Sequence, residues 1–137
     1  MSLPQPDDLT SLVLRTEFDD DGAWGAVRAA LDAADEYCHA TYVSEPRFAG
    51  VEVQALMDEE VAADDEDQIM HVFLADAATM KDPHHALLAV DLSEEPGRTF
   101  RLPAQWFPDV SANLSIANMD FAEFADATDA SGTFHGF

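Results

Sequence analysis

Glu17, Asp19, Asp76 and Asp91 each fall where an apolar run of the chain ends. Carboxylates gathered at strand ends suit a divalent cation, because Mg²⁺ is held through oxygen ligands and open α/β sheets bind ligands at the carboxyl edge. Glu17, Asp19 and Asp76 are the candidate metal ligands, although solvated strand-end acids explain the same pattern. The histidines are His39, His71, His84, His85 and His135. None forms His-x-x-x-His or His-Glu-x-x-His, the spacings that set two zinc ligands on one helical face. Cys38 beside His39 is not a dyad, since neighbours on a strand face opposite ways, and a buried structural thiol is the expectation. There is no Gly-x-Ser-x-Gly elbow and no glycine-rich phosphate loop. No cofactor is expected.

Phe18-Asp19-Asp20-Asp21-Gly22, after an apolar strand, resembles the first motif of haloacid-dehalogenase-like phosphatases, Asp-x-Asp-Gly. The resemblance implies Asp19 as the nucleophile on phosphorus, Asp21 as general acid and base, and magnesium between them. The chain departs from that pattern. Ala23 follows the glycine where a hydroxyl residue is usual, the phosphate-neutralising lysine would have to be Lys81, and the paired acidic magnesium motif has no counterpart. An acid-rich helix start accounts for the same residues. A receiver-like phosphoacceptor site would also look like the strand-end acids. Asp91, however, falls on a strand read as antiparallel, and no lysine follows on the last strand.

Charge narrows the partners further. The chain of 137 residues has 28 Asp and Glu against 6 Lys and Arg, a formal net charge of −22. Such a surface repels nucleic acid and anionic membrane and attracts cations and basic proteins. Salt adaptation and plain solubility give the same composition. From Glu52 to Asp76 there are nine acids and no Lys or Arg, and seven of the nine are Asp58, Glu59, Glu60, Asp64, Asp65, Glu66 and Asp67. Those seven are the candidate docking residues for a basic partner, against the alternative of a solvated helix face and loop.

The elements that must position these groups follow from periodicity. With 47% hydrophobic residues the chain can bury a core. Strands are predicted near 11–18, 37–44, 69–75, 86–92 and 99–102. Helices are predicted near 22–36, 52–63 and 120–128. Trp24, Val27, Leu31 and Ala34 mark the apolar face of the first, and Val53, Leu56, Met57 and Val61 that of the second. Asp120, with Glu123 as capping-box partner and Met119 stapling onto Phe124, starts the third. Pro103 and Pro108 break the region between, leaving a helical turn near Trp106 and a segment from Val110 to Asn118. Pro96-Gly97 has the order of a type II turn. Residues 1–10 read as a Pro-punctuated leader and 11–137 as one domain.

The connection from Asp76 to His85 is short for a parallel crossover, so the third and fourth strands should pair antiparallel. The expected fold is α/β, with α+β the alternative. It is a single domain with a mixed four- to five-stranded sheet and a thioredoxin-like element order, without a CxxC pair or the proline before the third strand.

Four strings are familiar together: Leu14-Arg15-Thr16-Glu17-Phe18, Ser93-Glu94-Glu95-Pro96-Gly97-Arg98-Thr99-Phe100-Arg101, Asn113-Leu114-Ser115-Ile116-Ala117-Asn118-Met119-Asp120-Phe121, and Gly132-Thr133-Phe134-His135-Gly136-Phe137. They resemble a family of small acidic proteins of high-GC, actinobacterium-like bacteria, catalogued as a domain of unknown function. The resemblance spans most of the chain, loosest over 37–67, and implies no activity and no site residues.

The expected function is a non-enzymatic, inhibitor- or immunity-like binding protein for a basic protein. One alternative is a Mg-dependent phosphotransfer or hydrolase enzyme using Asp19, Asp21 and Asp76; the other is a structural homo-oligomer subunit. A lone cysteine, no signal-like start and no long apolar run point to the cytoplasm, with no membrane partner.

Overall fold

A computed structural model describes residues 3–7, 9–35, 39–62, 69–116 and 118–136, and of residues 60–62 the backbone alone. The five strands are β1 (Ser11–Arg15), β2 (Ala40–Val43), β3 (His71–Ala75), β4 (Leu87–Asp91) and β5 (Thr99–Leu102). The helices are α1 (Asp21–Ala34), α2 (Val53–Ala62), α3 (Ala77–Lys81), α4 (Phe107–Ser115) and α5 (Phe121–Ala125). One sheet runs in the order β2-β1-β3-β4-β5. β1 is parallel to β2 and β3, whereas β4 is antiparallel to β3 and β5 to β4. This is the mixed α/β sheet expected.

β1 and β3 read as unbroken apolar runs because both of their faces are covered. Val13, Phe73, Ala75, Leu87 and Ala89 point into one core with Trp24, Val27 and Leu31 of α1, Phe107 and Val110 of α4, and Phe121 and Phe124 of α5. Leu12, Leu14, Val72, Leu74 and Val90 point the other way, against Phe48, Leu56 of α2 and Leu3. β5 alternates instead. Phe100 and Leu102 are buried, Thr99 is exposed, and Arg101 is half-buried, the pattern of a strand with one covered face.

The helix boundaries follow local chemistry. Asp20 caps α1, its carboxylate accepting from Ala23 N at 3.0 Å. Ala34, expected on the apolar face, is exposed in the last turn. α3 replaces the loop expected between β3 and β4: Asp76 accepts from Thr79 N at 3.0 Å, and the buried Thr79 hydroxyl donates to Ala86 O at 2.8 Å. Pro108 does not break its region but lies in the first turn of α4, where its missing N–H is not needed. α5 ends at Ala125, three residues early, because the Thr128 hydroxyl takes the Ala125 carbonyl at 2.9 Å. The tail then lies along β5. Arg101 N donates to Gly132 O, Phe134 N donates to Arg101 O, and Phe134 is buried against Phe100, Trp106 and Phe124.

Among the described residues no helix is long and apolar enough to cross a membrane. Cys38 and the start of the strand expected from 37 lie outside the described residues, as do Asp64, Asp65, Glu66 and Asp67.

Candidate functional site

The C-terminal ends of β1 and β3 meet the N-terminal ends of α1 and α3, and there the expected carboxylates separate. Asp19, Asp20 and Asp21 take three different jobs. Asp20 caps α1. Asp21 pairs with Arg15 at 2.8 Å, the arginine side chain being 5% exposed and the aspartate 90%. Arg15 also donates to Glu17 O at 2.7 Å and lies 4.4 Å over the Phe18 ring. Asp19 lines a recess of about 170 Å³ with Glu17, Ala77, Met80 and Lys81. Within it the Glu17 carboxylate accepts from Asp19 N at 2.9 Å.

Asp76 is turned elsewhere. Arg101 donates to both of its oxygens at 2.9 Å. Burial pushes its carboxyl up, but the Arg101 bonds and charge and the Thr79 N–H outweigh that and hold it below the ordinary value. Asp91 sits at the opposite edge of the sheet, since β4 runs antiparallel. Of the strand-end acids Glu17 and Asp19 share a recess while Asp76 and Asp91 do not join them, and no group of three metal-ligating side chains gathers among the described residues. Lys81, the chain's only lysine, lines that recess with Glu17 and Asp19.

The opposite edge carries a feature that no local motif announces. His71 pairs with Asp91 across β3 and β4, and Ser11 stands level with His71 because Val13 is in register with Phe73. His71 Nε2 lies 2.9 Å from Ser11 Oγ, and that oxygen lies 2.8 Å from Ser111 Oγ of α4. A Ser–His–Asp row invites comparison with a nucleophilic triad, which needs Nε2 as acceptor and the acid on Nδ1–H. Proton counting opposes it here. Ser111 donates to His39 O at 3.1 Å, so Ser11 donates to Ser111 and Nε2–H donates to Ser11. Asp91 is occupied by its own loop, accepting from Ser93 N at 3.0 Å and Glu95 N at 2.9 Å. Burial lowers His71 to about 4, which the negative Asp91 only partly offsets, so the ring is neutral near pH 7. The hydrogen-bonded part of the row is a polar relay joining β1, β3 and α4 to the His39 carbonyl, with Asp91 of β4 acting on His71 only through its charge.

His71 is also where two recesses meet. One, of about 290 Å³, includes Asp7, Leu9 and Ser11; the other, of about 260 Å³, includes Asp91, Glu94, Met119 and Asp120. Both are lined by Met70, His71, Leu114 and Ser115. A further recess, of about 410 Å³ beside β5, contains His84, Arg101 and His135. His135 there pairs with Asp129 at 2.9 Å.

Of the acidic run, Asp58 is exposed on α2 and accepts from Gln54 Nε2 at 3.0 Å, and Glu59 is half-buried. The Glu60 side chain lies outside the described part. Asp58 and Glu59, the two candidate docking acids whose side chains are described, line none of these recesses.

The arrangement defines a mixed-sheet α/β protein with a polar relay beside two adjoining recesses. Residues 10–137 match the family described as domain of unknown function DUF6924, and the chain belongs to that family. None of the curated proteins matches it.

Proposed function

We propose that the protein is a non-enzymatic, cytoplasmic binding protein of an actinobacterium-like cell that docks a basic protein, in the manner of an inhibitor or immunity protein. The observation that carries this reading is the use of its positive charge. Arg15 is held by Asp21, Arg47 by Glu45, Arg98 by Glu95 and Asp126, and Arg101 by Asp76, while Arg28 lies 5.0 Å over the Tyr42 ring. With the arginines so engaged, the excess of acids dominates the field that a partner meets. Long-range attraction then raises the encounter rate, and apolar contacts hold the complex.

Capture of partners by the tagged protein from native lysate, at low and high salt, tests the reading. A basic partner lost at high salt supports it. A neutral or acidic partner retained equally at both salts refutes it. Neutralising Asp58, Glu59, Glu60 and Asp64 as Asn and Gln separates a steering role for the acidic run from a solvated face, since only the former slows association.

A second reading rests on the recess shared by Glu17, Asp19 and Lys81, which suits Mg-dependent phosphotransfer. It loses support from Asp76, which is bound to Arg101, and from Asp21, which is bound to Arg15. Calorimetric titration with Mg²⁺ and Mn²⁺ separates the two, because tight binding abolished by Asp19→Asn favours the enzyme. A stable dimer in light scattering would favour the third alternative, a structural homo-oligomer subunit.

A further inference from the structure

The two recesses flanking His71 form one groove through their shared wall of Met70, His71, Leu114 and Ser115. Its mouth carries unusual apolar exposure for so acidic a chain. Leu9 is 64% exposed and Met70 59%. Large apolar side chains standing together in water mark contact surfaces more often than scattered ones do. Leu9 is also held in the left-handed backbone region, at φ 61°, a conformation that costs a leucine free energy and persists only where surrounding structure enforces it. Ser115 Oγ, on the shared wall, is buried without a hydrogen-bond partner among the described residues.

The rim has one sign. The exposed Asp7 stands at one end and the exposed Glu94 and Asp120 at the other, Asp91 in the same lining is buried, and no Lys or Arg lines either recess. The charge of Asp120, with lesser help from Asp91 and Glu95, pushes the exposed Glu94 carboxyl above its ordinary value. His71 adds no positive charge, because burial keeps it neutral. Like charges crowded around an apolar floor are relieved by a cation and not by a second acidic surface, so a second copy of this chain is a poor occupant.

We infer that this groove is the docking site, and that its occupant is a segment of a basic protein that sets an apolar side chain against Met70 and Leu114 and a lysine or arginine against Glu94 and Asp120. The inference rests on the proposed binding of a basic partner and adds the place and the shape of the contact.

Two synthetic peptides of equal charge serve as probes, blocked Lys-Leu-Lys-Leu-Lys and blocked Lys-Ser-Lys-Ser-Lys, titrated into the full ¹⁵N-labelled chain at low salt. The leucine peptide is expected to bind about tenfold more tightly and to shift the amides of Met70, Glu94 and Ser115 most. Met70→Ser, at an exposed position, should weaken the leucine peptide by roughly five- to tenfold and leave the serine peptide unchanged. Glu94→Gln with Asp120→Asn should weaken both and flatten the salt dependence, whereas Asp58→Asn should change neither by more than about twofold. Equal affinity of the two peptides, or shifts centred on α2, overturns the groove while leaving the basic-partner reading intact. Failure of both peptides to bind at low salt overturns the two together. A dimer in light scattering that Met70→Ser disperses assigns the groove to a second copy and overturns the basic occupant.

Discussion

His71 should make the fold acid-sensitive well above the range where carboxylates titrate. Its ring is neutral in the native state, lowered from 6.5 to about 4 chiefly by burial. A histidine whose folded value lies below its unfolded value binds its proton preferentially in the unfolded chain. Its contribution is therefore complete above about pH 6.5 and is lost as pH falls toward 4. The gap of about 2.5 units, at ~1.4 kcal/mol each, sets a ceiling of ~3 kcal/mol, with ~2 kcal/mol already gone at pH 5. Two other contributions must be kept apart from this one. Neutralising surface acids on acidification relieves self-repulsion and stabilises the fold, but equally in any variant. The lowered carboxyls of Asp76 and Asp82 act only where carboxylates protonate, below this window.

The comparison of native chain with His71→Gln isolates the histidine. Gln retains a side-chain amide that can donate to Ser11 and does not titrate. Urea unfolding followed by the fluorescence of Trp24 and Trp106, at fixed ionic strength and at pH 7.5, 6 and 5, gives the two stability curves. The native chain should lose about 2 kcal/mol relative to the variant between pH 7.5 and 5. A proton titration of the ring by NMR should place its midpoint near 4. If the two stability curves stay parallel over that range, the ring is not buried neutral in the native state and the polar relay is wrongly drawn.

Two further outcomes test the framework. Gly97 lies at φ +92°, and an added Cβ would stand 2.9 Å from Met57 Sδ. Gly97→Ala should cost about 1 kcal/mol or more in thermal unfolding, and Met57→Ala should fail to rescue it, because the larger part is backbone strain and not crowding. Asp76→Ala removes the cap of α3 and strands Arg101, and should cost roughly 2–3 kcal/mol in urea unfolding. Asp76→Asn keeps an oxygen for Thr79 N and should recover about 1 kcal/mol of that.

The sheet was legible because strands covered on both faces leave continuous apolar runs, and 69–75 and 86–92 enclose β3 and β4 within two residues. The short link between them forced the antiparallel pairing. α3 was missed although its signal was present, as Asp76 and Thr79 stand three apart like any capping pair. Five residues are too few to show an apolar period, so the cap is the sole local evidence of such a helix. Pro108 misled for a related reason. Proline breaks a helix interior but suits a first turn, and which of the two applies depends on where the helix starts.

Site residues were harder to read because chemistry here is assembled across strands. Asp19, Asp20 and Asp21 are neighbours in sequence and look like one constellation. The fold sends them to a recess, a helix cap and an arginine. Ser11, His71 and Asp91 are far apart in sequence and suggest nothing together, yet strand register sets them in one row. Single letters carry no register, so that row could have been found only by aligning the predicted strands β1, β3 and β4 on their inward faces. The same holds for the groove. Leu9, Met70 and Leu114 come from three segments, and Glu94 and Asp120 from two more. The acidic run from Asp58 to Asp67 drew attention because it is contiguous, and contiguity is how a solvated face looks as well. An acid gains the power to select a partner when it borders apolar surface that water must leave, and in the proposed docking groove Asp7, Glu94 and Asp120 border such a surface.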